Sequence, residues 1–302
     1  MVDHAVSNID AAAMDAEQAR NRERTRARIS AAFRYFLLAA VGLLMLYPLI
    51  WLIGASFKTN SEIFNNPGFW PENPTLDGYI QGWKTSTPYT FGTFFLNTLW
   101  IVLPKMIGTA ISCTAVAYGF ARFEFPGKKI LFASLIATLL LPNVVTRIPQ
   151  YLLFRDLGWL DTYLPLWVPS AFAGDAFFVF MLVQFLRAIP RDMEEAARVD
   201  GASTLQTLFF IVVPLLTPAL ISVCLFQFMW TMNDFLGPLI YLSSIEKYPV
   251  SLALKLSIDT TEAFDWNRIL AMSVLAITPA LVVFFVAQKY FIDGISAGGI
   301  KG

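Results

Sequence analysis

The sequence predicts an all-α membrane protein with six transmembrane helices, and three observations carry that prediction. Of its 302 residues 56% are hydrophobic, 15% are charged and 27 are Phe, a composition too apolar for a soluble domain. Runs of about 20 apolar residues, the length a helix needs to cross a bilayer, recur along the chain. A compact polar segment, 190–214, stands between the fourth and fifth of these runs.

The same composition narrows the function. Lys and Arg total 22 and Asp and Glu total 22, so no charge excess points to nucleic acid as a partner. Cys113 and Cys224 both lie inside apolar runs, where neither a disulfide framework nor a metal cluster is expected. The only histidine is His4, in a polar leader, which removes Ser-His-Asp, Cys-His and His-metal arrangements. No catalytic residue, metal site or bound cofactor is therefore expected of this chain.

Residues 1–32 form a polar leader with Arg20, Arg22, Arg24, Arg26 and Arg28 clustered before the first apolar run. That run, 33–57, is too long for the core of a signal peptide and lacks a small-residue cleavage site, so it reads as a retained span. Further spans are expected at 92–118, 130–148, 165–187, 212–236 and 267–290, giving a membrane domain over 33–290 and a tail over 291–302. Pro48, Pro104, Pro142, Pro214, Pro218 and Pro279 lie in or beside them, which predicts kinked helices packed on protein.

Orientation follows from the basic residues. With the N-terminus inside, the inner segments hold twice as many Lys and Arg as the outer ones, which places both termini in the cytoplasm. The outer segments, 58–91, 149–164 and 237–266, carry Trp70, Trp83, Trp159 and Trp266 among many Pro, Gly and Asn, and read as ordered caps.

The polar segment then falls on the cytoplasmic face. Pro190 suits the first position of a helix, and Asp192, Glu194 and Glu195 put negative charge where the helix dipole favours it. That helix is expected to run to about Asp200 and stop at Gly201, which tolerates the left-handed conformation. Ser203 and Gln206 have the spacing of a capping box, so a second helix starts there and bends at Pro214. Ala196, Ala197 and Ala202 are expected to keep one surface low for a partner, with Glu195 and Arg198 supplying orienting charge.

Glu195, Ala196 and Ala197, followed by Gly201 and then Ile211 and Pro214, resemble the Glu-Ala-Ala loop of ABC importer permeases. The segments 48–58, 97–98, 118–129, 230–240 and 293–302 resemble carbohydrate importer permeases related to the smaller membrane subunit of the maltose transporter. The resemblance runs from about residue 42 to the end. It implies the type I importer permease fold, with short coupling helices in the loop, in a bacterial inner membrane. It also implies a second, homologous permease, two ATPase subunits that bind ATP and Mg, an extracytoplasmic solute-binding protein and a carbohydrate cargo.

By the same resemblance, Glu194, Glu195, Ala196, Ala197, Arg198, Asp200, Gly201, Ala202, Ile211 and Pro214 take up the motion of the ATPases. The tail residues Ser296, Gly298, Gly299 and Lys301 reach between those subunits, and the third outer loop, about 243–264, probes the binding protein. Val183 departs from the family, many members of which carry Arg there, and the leader before Phe33 has no family counterpart.

Candidates for the translocation path are the polar residues at membrane depth: Lys105, Asn143, Gln227, Asn233 and Asp234, with Asn97, Gln150, Asp175 and Gln184 also in or near the spans. Such groups face protein or water rather than lipid. Lys105 either lines the path or pairs with a partner-chain carboxylate, and Asn233 and Asp234 either contact solute or cap a helix. Two other functions compete: an importer of the same architecture for another solute, such as glycerol phosphate, and an intramembrane enzyme. The second is disfavoured because Phe172 stands where a Gly-x-Gly-Asp motif needs glycine before Asp175, and no phosphate-binding loop occurs to make the chain a self-powered pump.

Overall fold

The structure is a computed structural model that describes residues 2–85, 88–259 and 265–299, with only the backbone described for 2–24, 27, 143, 259 and 289–299. The elements in chain order are α1 (Val2–Ala55), α2 (Asn60–Asn65), α3 (Asp77–Lys84), α4 (Phe91–Arg122), α5 (Lys128–Leu139) and α6 (Asn143–Asp156). There follow α7 (Leu164–Ala171), α8 (Ala176–Ala188), α9 (Asp192–Val199), α10 (Thr204–Thr207), a π-helical turn (Leu208–Val212) and α11 (Val213–Met232). The chain closes with α12 (Leu236–Tyr241), α13 (Val250–Asp259) and α14 (Trp266–Gly299). Every element among the described residues is helical, and a helix satisfies the backbone polar groups of a spanning segment within that segment, as lipid requires.

Among the described residues five helical stretches are long and apolar enough to cross a membrane, and a bent pair makes the sixth. The first, Arg28–Ala55, belongs to α1, which continues unbroken through the boundary expected at residue 32. Helix α4 spans 32 residues. At 1.5 Å per residue that is about 48 Å, so α4 crosses a hydrocarbon core of about 30 Å and projects beyond it.

The third span departs from expectation. The run 130–148 is not one helix: α5 and α6 meet at 104°. Pro142 has no amide hydrogen to continue the ladder and pushes Leu141 away from helical geometry, so the helix ends and restarts at Asn143. The fourth span is also interrupted. Between α7 and α8, Ala173 adopts φ +56°, and a Cβ on Gly174 would sit 2.6 Å from the carbonyl oxygen of Pro169. The fifth span begins at Thr204 rather than 212, because the second arm of the polar hairpin runs straight into it.

Helix α4 is the central post, packed on α7, α8 and α11. Cys113, Ala117, Tyr118 and Ala121 of α4 form one core with Phe178, Val179, Leu182, Val183 and Leu186 of α8 and Val212, Leu216, Ala219 and Val223 of the fifth span. Gly108 brings α4 against α7, since a Cβ there would lie 2.9 Å from the Cβ of Ala171. Small residues let helices approach closely, and close packing is what associates helices in lipid. Val183 is fully buried in this core.

The connections between spans sort to two ends. The segments after spans one, three and five interlock. Asn60 Nδ2 donates to Asp265 Oδ1 at 3.0 Å, Asn97 Nδ2 donates to the carbonyls of Glu246 (2.7 Å) and Tyr248 (3.0 Å), and Asp161 accepts from Ser243, Ser244 and Lys247. The hairpin after span four lies instead with the end of α4, where Arg191 donates to the carbonyl of Ala121 at 3.3 Å.

Candidate functional site

The hairpin is two short helices joined by a closed corner. Helix α9 begins at Asp192, two residues later than Pro190 suggested, with Arg191 at the N-cap and Asp192, Glu194 and Glu195 in the first turn. It ends in a Schellman motif. The N–H of Ala202 donates to the carbonyl of Ala197 at 2.9 Å and that of Gly201 to Arg198 at 3.1 Å, with Gly201 at φ +85°.

Helix α10 starts with the expected capping box. Ser203 N donates to Gln206 Oε1 at 2.8 Å, and Gln206 N donates to Ser203 Oγ at 3.3 Å. Beyond it the ladder widens into the π turn, where the N–H of Val213 reaches back to the carbonyl of Leu208. The wider turn absorbs the missing donor of Pro214, the next residue. Ile211 is half-buried in this turn and Pro214 is exposed.

The root of the hairpin is buried and charged. Glu194 is 3% exposed and accepts from two side chains of α4. Arg122 Nε lies 2.5 Å from Glu194 Oε1, Tyr118 donates to Oε2 at 3.3 Å, and the Arg122 guanidinium also donates to the carbonyl of Ile189 at 3.0 Å. Arg122 occupies the last turn of α4 and Glu194 the first turn of α9, so each charge sits at the helix end whose dipole favours it.

This arrangement corrects the surface expected of the hairpin. Glu194 and Ala197 point into their own chain, so the three alanines do not share one face: Ala196 is exposed, Ala197 buried and Ala202 half-buried. Outward stand Glu195, Ala196, Arg198, Asp200 and Gly201, together with three apolar side chains, Met193, Val199 and Leu205. Val199 is 88% exposed at the corner. Sequence reasoning passed over these three and over Arg122, Tyr118 and Arg191. The available signal was apolar residues in a polar loop that helical periodicity points away from the chain's own core.

The residues expected along a path divide. Lys105 and Asp234 line a cavity of about 250 Å³ between the second to fifth spans, with Arg147, Gln150 and Asp175. Gln227 is 2% exposed and bonded to Thr231 within α11, and Asn233 donates to the carbonyl of Met229 at the end of its own helix, so neither faces that cavity. Asn143 opens α6, with its backbone alone described. Ser296, Gly298 and Gly299 lie in the backbone of α14, and Lys301 lies outside the described residues.

At the opposite end Asp161, itself at φ +55°, pins the loops together. It accepts from Ser243 N (3.0 Å), Ser244 N (2.9 Å), Ser244 Oγ (2.6 Å) and Lys247 Nζ (2.8 Å). Partial burial raises its pKa, but the bonds from Lys247 and Ser244 outweigh that and hold the carboxyl well below its ordinary value. Among the described residues no group of three or more His, Cys, Asp or Glu side chains is arranged to hold a metal ion.

Comparison with known proteins agrees with this architecture. A probable ABC transporter permease protein from Pyrococcus horikoshii is 32% identical over 87% of this chain and 95% of its own. An arabinooligosaccharides transport system permease protein from Halalkalibacterium halodurans is 30% identical over 87% of this chain and 94% of its own. The crystal structure of a bacterial ABC transporter involved in the import of the acidic polysaccharide alginate matches at a TM-score of 0.78 and 26% identity, covering 87% of this chain and 97% of that one. The family model for the binding-protein-dependent transport system inner membrane component matches residues 111–296. A six-span helical bundle with two broken spans and a capped polar hairpin is thus a multi-pass transport subunit and not an enzyme: the chain belongs to the binding-protein-dependent transport system inner membrane component family.

Proposed function

We propose that this chain is a permease subunit that imports a sugar or oligosaccharide, and that 190–214 is where an ATP-hydrolysing subunit seats. The observation that carries the reading is the hairpin itself. Its corner is held by the Schellman motif and capping box, its root is bolted to α4 through Glu194, and its tip shows Glu195, Arg198 and an 88%-exposed Val199 to a partner. A rigid lever with an exposed apolar tip and a buried root passes force from a docked protein to the second span.

The rest of the assembly follows from the family and from the names of the relatives. Two ATPase subunits hold ATP and Mg, a second permease completes the membrane unit, and a solute-binding protein delivers cargo to the end where Asp161 and Lys247 meet. That end faces outward, both termini face the cytoplasm, and the membrane is the bacterial inner membrane. Relatives that carry arabinooligosaccharides and alginate favour a carbohydrate over glycerol phosphate.

The test uses the whole transporter in proteoliposomes. Glu195→Lys and Gly201→Asp should abolish uptake and break the link between loaded binding protein and ATP hydrolysis while the subunit stays in the membrane. Normal stimulation in both variants rejects the coupling role. A thiol introduced by Val199→Cys should react with a membrane-impermeant maleimide in everted vesicles stripped of ATPase subunits and not in intact spheroplasts; the reverse pattern rejects the orientation.

A further inference from the structure

We propose that this chain carries its own sugar subsite: the cavity between α4, α6, α7 and α12 holds one neutral, polyhydroxylated ring of the cargo between Lys105 and Arg147 on one hand and Asp175 on the other. The inference rests on the import reading above and specifies which of its residues touch cargo and what they recognise.

Both interrupted spans build this cavity. Helix α6, restarted after Pro142, supplies Arg147 and Gln150, and the break between α7 and α8 supplies Gly174 and Asp175. Broken helices inside a membrane expose backbone and side-chain polar groups that lipid forbids elsewhere, and they are tolerated where they line a water-filled or ligand-filled space. At about 250 Å³ the space lies just below the roughly 300–1,000 Å³ of ordinary small-molecule sites, which suits one ring and not a folded chain of them.

Three charged side chains in it, Asp175, Lys105 and Arg147, find no partner among the described residues. Asp175 occupies the N-cap of α8, where Asp ordinarily accepts from the helix N–H groups, yet it makes no capping bond. Its Oδ2 is buried and takes no hydrogen bond from any described residue. Lys105 and Arg147 make no ion pair and no hydrogen bond to a described residue, although carboxylates line the same cavity. Asp234, the fourth charge, is already engaged, accepting from the N–H of Gly237 at 3.0 Å.

A buried carboxylate oxygen can only accept, and an ammonium or guanidinium can only donate. A sugar hydroxyl does both, so neighbouring hydroxyls bridge Asp175 to Lys105 and Arg147 and satisfy all three at once. The charges in the cavity balance, two cationic and two anionic, so the site as a whole offers an added anion no net charge to neutralise its own, and a neutral ring needs none. Gln150 offers both a donor and an acceptor to a further hydroxyl.

The experiment uses the complete transporter in cells and offers six labelled probes: arabinotriose, galactobiose, diacetylchitobiose, maltose, an alginate trisaccharide and glycerol 3-phosphate. Wild-type uptake of at least one of the four neutral sugars is expected, and with that sugar Asp175→Asn and Lys105→Met should each lower uptake about tenfold or more, with the complex still assembled. In a second measurement, the transported sugar should slow alkylation of a thiol introduced by Thr146→Cys on the cavity wall in the otherwise unchanged chain. Because that variant keeps every charged group, it decides the matter if the charge variants fail to assemble. Wild-type uptake rates in both charge variants, or no protection of the thiol, overturns the subsite. Uptake of only the alginate trisaccharide or glycerol 3-phosphate overturns the neutral ring and leaves the permease role standing. Uptake of none of the six overturns the import reading and the subsite with it.

Discussion

Arg122 and Glu194, 72 positions apart, form an ion pair of 2.5 Å in which both side chains are 4% exposed, and it joins the end of the second span to the first turn of the hairpin. Two charges so deeply buried are costly unless paired. The pair therefore holds the hairpin in one orientation on α4 rather than adding net stability.

The consequence is an asymmetry between single and double variants. Glu194→Ala or Arg122→Ala leaves a buried charge alone and should cost about 3–5 kcal/mol, whereas replacing both by apolar residues of similar size should cost much less. Thermal unfolding of the solubilised complex reads the difference. Transport should stay impaired in the double variant, since the link between hairpin and span is gone. Additive losses in the double variant would show that the two side chains act independently.

Gly201 tests backbone strain without steric conflict. Its φ is +85° and a Cβ there would meet nothing within 4 Å, so only conformational preference opposes a side chain. Gly201→Ala should cost about 1–2 kcal/mol locally, and Gly201→Asn less, because Asn enters the left-handed region more readily. Hydrogen exchange at the amides of Gly201 and Ala202 reports the opening of the Schellman motif. Equal exchange in both variants and the wild type would remove the strain argument.

The Asp161 pin has a defined pH dependence. Its folded pKa lies below the ordinary carboxylate value, so its stabilising contribution is present above that value and is lost as pH falls through the folded pKa. The loops should therefore stay locked from neutral pH down to about 4, the unfolded carboxylate range, and loosen only below it. Asp161→Asn should loosen them at every pH. Protease nicking within 242–248 measured against pH checks this, and a transition near pH 6 would contradict it.

Asn97 bridges two backbone carbonyls, of Glu246 and Tyr248, from a site that is 9% exposed. Asn97→Ala removes both donors and should destabilise the loop that holds Glu246 and Tyr248 by about 1–3 kcal/mol. Asn97→Asp should be worse, since a carboxylate oxygen meets the carbonyls. The fraction of assembled transporter surviving a heat step compares the three chains.

Much of this was legible from local pattern. Apolar run length placed four spans within a few residues but missed where the fifth begins, and turn chemistry placed Gly201 and the Ser203–Gln206 box, because a left-handed stop and a reciprocal cap depend only on neighbouring residues. The bend of the third span was less legible: Pro142 was noted, yet run length alone cannot tell a kink from a 104° turn. The inward face of α9 was misjudged. Glu194 and Glu195 are equivalent in composition, and only the arrival of Arg122 from a distant helix makes one of them a buried anchor and the other a surface charge.

The sequence by itself determined that this chain is helical, that it crosses a membrane repeatedly and that one polar hairpin has a glycine corner and a capped second arm. Hydrophobic length and helix-end chemistry are short-range properties, and a single strand of text carries them. The tertiary structure alone decided which charges are buried together, Arg122 with Glu194, and which are left facing a cavity, Lys105, Arg147 and Asp175. Those pairings depend on how far helices approach and at what angle they break, and close packing of side chains distant in the chain sets both.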